Sequence, residues 1–154
     1  MTKHEEKARE LFYSGCNCAQ AVFAAFCDVT GLTEKQAMKI ASGFGAGMGK
    51  MRDTCGALSG AVMVYDMLWG YDAPASPTHR EEKSACYKGV REIAARFSAE
   101  KGTYNCRMIL GLKEGEDPAE PAVRTREYYE SRPCLGCVGL AARVIDEMME
   151  ERKG

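Results

Sequence analysis

Residues 53–70 read Asp53-Thr-Cys-Gly-Ala-Leu-Ser-Gly-Ala-Val-Met-Val-Tyr-Asp-Met-Leu-Trp69-Gly70. Asp53 and Thr54 are helix N-cap types, Gly70 is a stop signal, and no proline intervenes. The stretch predicts a helix from near Thr54 to near Trp69. Its richest part, Ala57 to Trp69, is shorter than the ~20 residues of a membrane span and contains Asp66, so no membrane insertion is expected.

The helical period continues on both sides. Thr2 and Glu5 make a capping-box pattern for a first helix ending near Ser14-Gly15. A second runs from about Asn17 to Asp28, and Thr33 with Gln36 caps a third that ends near Ser42. Thr78 and Glu81 cap a long fifth helix to about Lys101, and Cys106 to Leu110 makes a short sixth. Residues 113–132 carry Pro118 and Pro121 and read as loop, with a helical turn or two in 122–129. A last helix spans about Cys134 to Arg152. The fold class predicted is all-α: residues 1–154 as one helical, cysteine-rich domain, a bundle of about six to seven helices.

A chain of 154 residues buries enough surface to fold without staples, which argues against a disulfide scaffold for its eight cysteines. The charged N-terminus lacks the apolar core of a signal peptide, and a cytoplasmic location is expected. Thiols there are more often redox-active or metal-binding than bridging. The net charge of −1, with both signs interspersed, gives no footprint for nucleic acid. His4 and His79 fall at helix ends and read as solvated.

Four cysteines fall where helices begin. Cys18 follows Asn17, Cys55 follows Thr54, Cys106 follows Asn105 and Cys134 follows Pro133. A thiol there meets unpaired N–H groups and the positive end of the helix dipole. Both favour thiolate, the form that attacks disulfides and binds metals. Cys55 is the expected attacking thiolate. Gly56 and Gly60, four apart on one face with Ser59, imply close approach by another backbone or a cofactor around Cys55. The Gly43–Gly49 run reads as a loop passing close to the cysteines, because its spacing is not that of a phosphate-binding loop. Cys134 and Cys137 form a CxxC, and Cys16 with Cys18 a CxC. Cys16 and Cys137 are thereby resolving thiols or extra ligands, while Cys27 and Cys86 read as packing residues.

Taken together, the chain resembles the redox-active C_GCAxxG_C_C family. The resemblance rests on Asn17-Cys-Ala-Gln-Ala-Val22, Gly43-Phe-Gly-Ala-Gly-Met-Gly49 and Thr54-Cys-Gly-Ala-Leu-Ser-Gly-Ala-Val-Met63. It continues through Cys106-Arg-Met-Ile-Leu-Gly111 and Cys134 with Val138, Ala141 and Ala142. The family label writes Gly before Cys, where this chain reads Cys55-Gly56. The resemblance implies a compact helical protein with four signature cysteines, here Cys18, Cys55, Cys106 and Cys134. A similar domain in split-Soret cytochromes links the family to electron transfer.

Two chemistries remain open from the sequence. In one, a thiol oxidoreductase cycles two or more of these cysteines between dithiol and disulfide. In the other, Cys18, Cys55, Cys106 and Cys134 form an all-thiolate site for zinc or an iron–sulfur cluster. A third, bland reading makes the cysteines fillers of a structural or interaction module. No Cys-x-x-Cys-His is present, so covalent c-type haem is not expected. The expected partner is a redox partner that the sequence does not specify, and a homodimer is an open assembly.

Overall fold

The computed structural model describes residues 1–115 and 117–153. Among these are nine α-helices: α1 Lys3–Tyr13, α2 Cys18–Ala25, α3 Cys27–Thr30, α4 Glu34–Ala41, α5 Gly56–Trp69, α6 His79–Lys101, α7 Cys106–Leu110, α8 Arg126–Ser131 and α9 Cys134–Glu151. A 3-10 turn, Ser42–Phe44, follows α4. The described residues hold no strand, only an isolated antiparallel bridge between Thr54 and Asn105. The fold is all-α, as the sequence predicts, with two more helices than expected. One arises where the second predicted helix breaks at Phe26, whose φ of −103° and ψ of 18° leave the helical region. The other, α8, grows within the predicted loop, where the Thr125 side chain accepts a hydrogen bond from the Tyr128 amide.

The local signals act as read at several helix starts. The Thr2 hydroxyl accepts from the Glu5 amide. Asn17 with Gln20 and Thr33 with Gln36 close reciprocal capping boxes. At Thr78 the expected cap does not form. Its hydroxyl donates to the Glu82 carboxylate instead of accepting from the helix amides.

α2 is the centre of the molecule, with Ala19 to Ala25 buried apart from Gln20. It packs against α1, α4, α5 and α9. Phe12, Phe23, Phe26, Val64 and Ile145 fill the space between them, each stabilising the fold by about 1.5–3 kcal/mol through burial. α6 closes over α5 and α9. The helices approach closely where side chains are absent. A Cβ at Gly60 of α5 would stand 2.7 Å from the Ala19 carbonyl oxygen of α2. Gly89 of α6 lies under the Tyr65 hydroxyl of α5.

His4 corrects its sequence reading. It is buried, not solvated, because it stacks on Phe26 at 4.1 Å between centroids and bridges two carboxylates. Nδ1 stands 2.6 Å from Asp146 and Nε2 2.9 Å from Asp28. His79 is half-buried, edge-on to Tyr71. No helix among the described residues is long and apolar enough to cross a membrane.

Candidate functional site

The site begins with an unusual stretch of backbone. Ala46, Gly47, Met48, Gly49 and Lys50 are consecutive residues with φ between 54° and 72°, and Arg52 follows at 60°. Such a run is a left-handed turn, which costs roughly 1–2 kcal/mol for each residue carrying a Cβ. Glycine relieves it where the chain is tightest: a Cβ at Gly47 would meet the Asp53 amide at 2.6 Å and Cys106 Cβ at 2.7 Å. Internal hydrogen bonds hold the turn, from the Gly49 amide to Gly43 O at 2.8 Å and from the Asp53 amide to Gly47 O at 2.9 Å.

The turn delivers the chain to two helix starts at once. The Cys55 amide donates to Tyr104 O at 2.8 Å, and the Cys106 amide donates to Asp53 O at 2.6 Å. Arg107 N adds a bond to Arg52 O at 3.1 Å. The segments before α5 and α7 are therefore paired, placing Cys55 beside Cys106. The start of α2 joins them through Asn17, whose side-chain amide donates to Ser42 O at 3.0 Å. Gly45 packs on that Asn17 side chain, and Gly56 packs on the Cys18 sulfur.

Five cysteines line one cavity of about 440 Å³: Cys18, Cys55, Cys106, Cys134 and Cys137. They come from the first turns of α2, α7 and α9 and from the N-cap of α5. None of the eight cysteines is in a disulfide. Gly56 also lines the cavity. Gly60 and Ser59 stand outside it; Gly60 serves the α2–α5 crossing, and the Ser59 hydroxyl donates to Cys55 O at 3.4 Å. Cys16 turns away toward Met38, with 3.8 Å between the sulfurs. Cys86 is buried on α6 and donates to Asp66. Cys27 lies at the start of α3, in a shallow surface recess beside His4 and Asp28. Among the described residues, no three Cys, His, Asp or Glu are grouped as ligands of one metal ion.

Ionisation in this cavity departs from the helix-start expectation. Burial and the neighbouring Cys55 push Cys18 up to about 12. Burial and Cys18 do the same to Cys134, also about 12. Cys106 is raised by burial, against the opposing pull of Arg52, whose Nη1 stands 3.8 Å from its sulfur. Desolvation and mutual repulsion among neighbouring sulfurs outweigh the helix dipoles. Cys55 and Cys137 act on each other's ionisation. Cys55 is held well above the ordinary thiol value by Cys137 and by burial, while the amides of Ala57 and Leu58 pull the other way. Cys137 is lowered by the Cys55 thiol, with help from Lys101. The two directions favour thiolate at Cys137 over the expected Cys55.

Sequence reasoning missed the cavity's charged lining: Lys50, Arg52, Arg124 and Arg132. Arg52 is buried, and its Nε donates to Asp117 at 2.8 Å. Arg124 lies over the rings of Phe12 and Tyr128 at 4.6 and 4.8 Å and donates to the carbonyls of Phe12 and Cys16. Arg132 covers Tyr128 at 4.7 Å. The contacts of Arg52 with Asp117 and of Arg124 with Phe12 and Cys16 cross many intervening residues, and no local pattern marks them.

Comparison with known proteins returned no match among curated proteins and none among solved structures. A family model described as "Putative redox-active protein (C_GCAxxG_C_C)" matches residues 16–148. That span takes in every cysteine of the cavity and both glycine-rich stretches. The chain therefore belongs to the C_GCAxxG_C_C family of redox-active proteins.

Proposed function

We propose that the protein is a dithiol redox protein in which Cys55 and Cys137 form the exchanging pair. The observation that carries this reading is the convergence of Cys55, at the start of α5, and Cys137, in the first turn of α9, on one cavity, where each thiol acts on the other's ionisation. Cys137 as thiolate attacks one sulfur of a disulfide substrate. The substrate S–S bond breaks, and one sulfur leaves as thiolate with the electron pair. Cys55 then loses its proton to the medium and attacks Cys137 in the mixed disulfide, releasing the second substrate thiolate. Two electrons pass to the substrate, and a Cys55–Cys137 disulfide remains. An external reductant of the thiol class resets the dithiol.

The test is a redox titration of anaerobically reduced protein, quenched by alkylation and mapped by mass spectrometry. A bridge confined to Cys55–Cys137 is the expected result. Random bridging, or eight cysteines that stay free across the titration, would remove the proposal.

The cavity itself favours a second reading. Its volume and the four signature thiols around it suit a cluster spread over several sulfurs better than a single ion. Cys18, Cys55, Cys106 and Cys134 would hold it, and buried thiols of raised pKa release their protons when metal binds. A bound cluster would supply one-electron transfer. Visible absorbance and stoichiometric iron in anaerobically purified protein would select this reading over the dithiol.

A further inference from the structure

We infer that the cavity selects small anionic disulfides, through Arg124 and Arg132 together with Lys50. The inference rests on the dithiol reading and adds the class of substrate.

The lining carries four cationic side chains and, among the described residues, no carboxylate. Asp117 stands behind the lining and is engaged by Arg52 at 2.8 Å and Arg107 at 3.8 Å. Among the described residues, Lys50 donates to the Glu120 carbonyl, a neutral acceptor, and its charge is shared with Arg52 and Arg107 in holding Asp117 ionised. Arg124 likewise donates to neutral acceptors, the carbonyls of Phe12 and Cys16 at 3.3 and 3.2 Å and the Tyr129 hydroxyl at 3.5 Å. These bonds and the flanking rings fix its guanidinium, so little side-chain freedom is left to lose on binding. A guanidinium offers five donors, and Arg124 has some to spare. Among the described lining residues, the Cys137 thiolate of the exchange step is the one negative group set against these four cations. The described lining therefore carries an excess of positive charge that an anionic ligand would offset.

The size fits the same class. About 440 Å³ lies in the range of small-molecule sites. The exchange also moves negative charge from the attacking cysteine onto the substrate, since each substrate sulfur leaves as thiolate. Fixed cations stabilise that charge where it arrives, on the leaving sulfur. An anionic disulfide gains from the cations on entry and again on cleavage, whereas a cationic one is repelled at both stages.

The test uses unmodified protein and probes matched in size. Adipate, which cannot exchange, is compared with 1,6-hexanediol and 1,6-diaminohexane for protection of Cys55 and Cys137 against iodoacetamide. Adipate is expected to protect at concentrations at least tenfold lower than the other two, with the advantage shrinking as salt is raised. In parallel, dithiodiglycolate, 2-hydroxyethyl disulfide and cystamine are compared as oxidants of the reduced protein. The expected rates fall in that order, spanning at least tenfold. Arg132→Gln and Arg124→Gln should compress both series; Arg132 makes no helix-anchoring bond, so it serves if the Arg124 variant folds poorly. Adipate protecting no better than the diol overturns the inference, whatever the exchange rates. Equal rates for the three disulfides also overturn it while sparing the dithiol reading. Adipate protection with no bridge formed by any oxidant removes the dithiol reading and leaves anion selection standing.

Discussion

Gly56 lies directly against Cys18. A Cβ at position 56 would run into the Cys18 sulfur and stand 2.8 Å from the Phe44 carbonyl oxygen. The glycine that follows the cysteine of α5 therefore makes room for the cysteine of α2, and the motif serves two helices at once. Gly56→Ala is expected to lower stability by about 1–3 kcal/mol, the usual cost of overpacking. It should also displace the Cys18 thiol. Urea midpoints and the alkylation rate of Cys18 check both effects. An unchanged midpoint with unchanged Cys18 reactivity would refute the close packing.

The left-handed turn offers a gain in stability. Met48 has φ of 69° and a largely exposed side chain, so glycine there loses little packing. Relief of about 1–2 kcal/mol of steric cost outweighs the roughly 0.5–1 kcal/mol of extra chain entropy that glycine brings. Met48→Gly should raise stability by about 0.5–1 kcal/mol, read as a higher urea midpoint with an unchanged slope. A lower midpoint would mean that the turn is not left-handed at this position.

Thiol reactivity should separate by pH. Cys137, lowered by Cys55 and then Lys101, should reach its full alkylation rate at a pH below that of the other cavity cysteines. Cys18 and Cys134, both pushed to about 12, should still be accelerating at pH 10. Cys137→Ser is expected to abolish bridging, and Cys16→Ser to leave it intact, because Cys16 faces Met38 outside the cavity. Mass spectrometry after timed labelling reads each site. If Cys18 reacts first, the ordering is wrong.

His4 gives stability a pH dependence of its own. Asp146, and after it Asp28, raise its pKa above 6.5, against the effect of burial. The folded protein therefore holds this proton more tightly than the unfolded chain does. The contribution is complete below about pH 6.5 and is lost as pH rises through the folded value. Urea midpoints should fall from pH 6 toward pH 8.5, and His4→Gln should flatten that slope. A midpoint that rises over this range would contradict the pairing.

The contrast between α2 and its surroundings shows where sequence reading reaches. The capping boxes of Asn17–Gln20 and Thr33–Gln36 are legible because cap and partner lie three residues apart. The four helix-start cysteines are legible for the same reason. Their ionisation is not, because burial and cross-talk depend on which helices meet. The left-handed turn was readable only as a glycine-rich loop, since Ala46, Met48, Lys50 and Arg52 adopt positive φ without being glycine. His4 joins Asp28 and Asp146 across 24 and 142 residues, and no local period encodes such a contact. The break at Phe26 lies inside an unbroken apolar run, where nothing in the pattern marks it.

The bonds that tie Cys55 N to Tyr104 O and Cys106 N to Asp53 O have a mechanical consequence. They turn the starts of α5 and α7 into a fixed wall, backed by the turn that precedes it. Cys134 and Cys137 stand opposite, in the first turn of α9. A Cys55–Cys137 bridge would therefore join this wall to the first turn of α9, which packs on α5. Such a bridge would tie the wall to a helix already fastened at its far end by the Arg96–Glu151 ion pair.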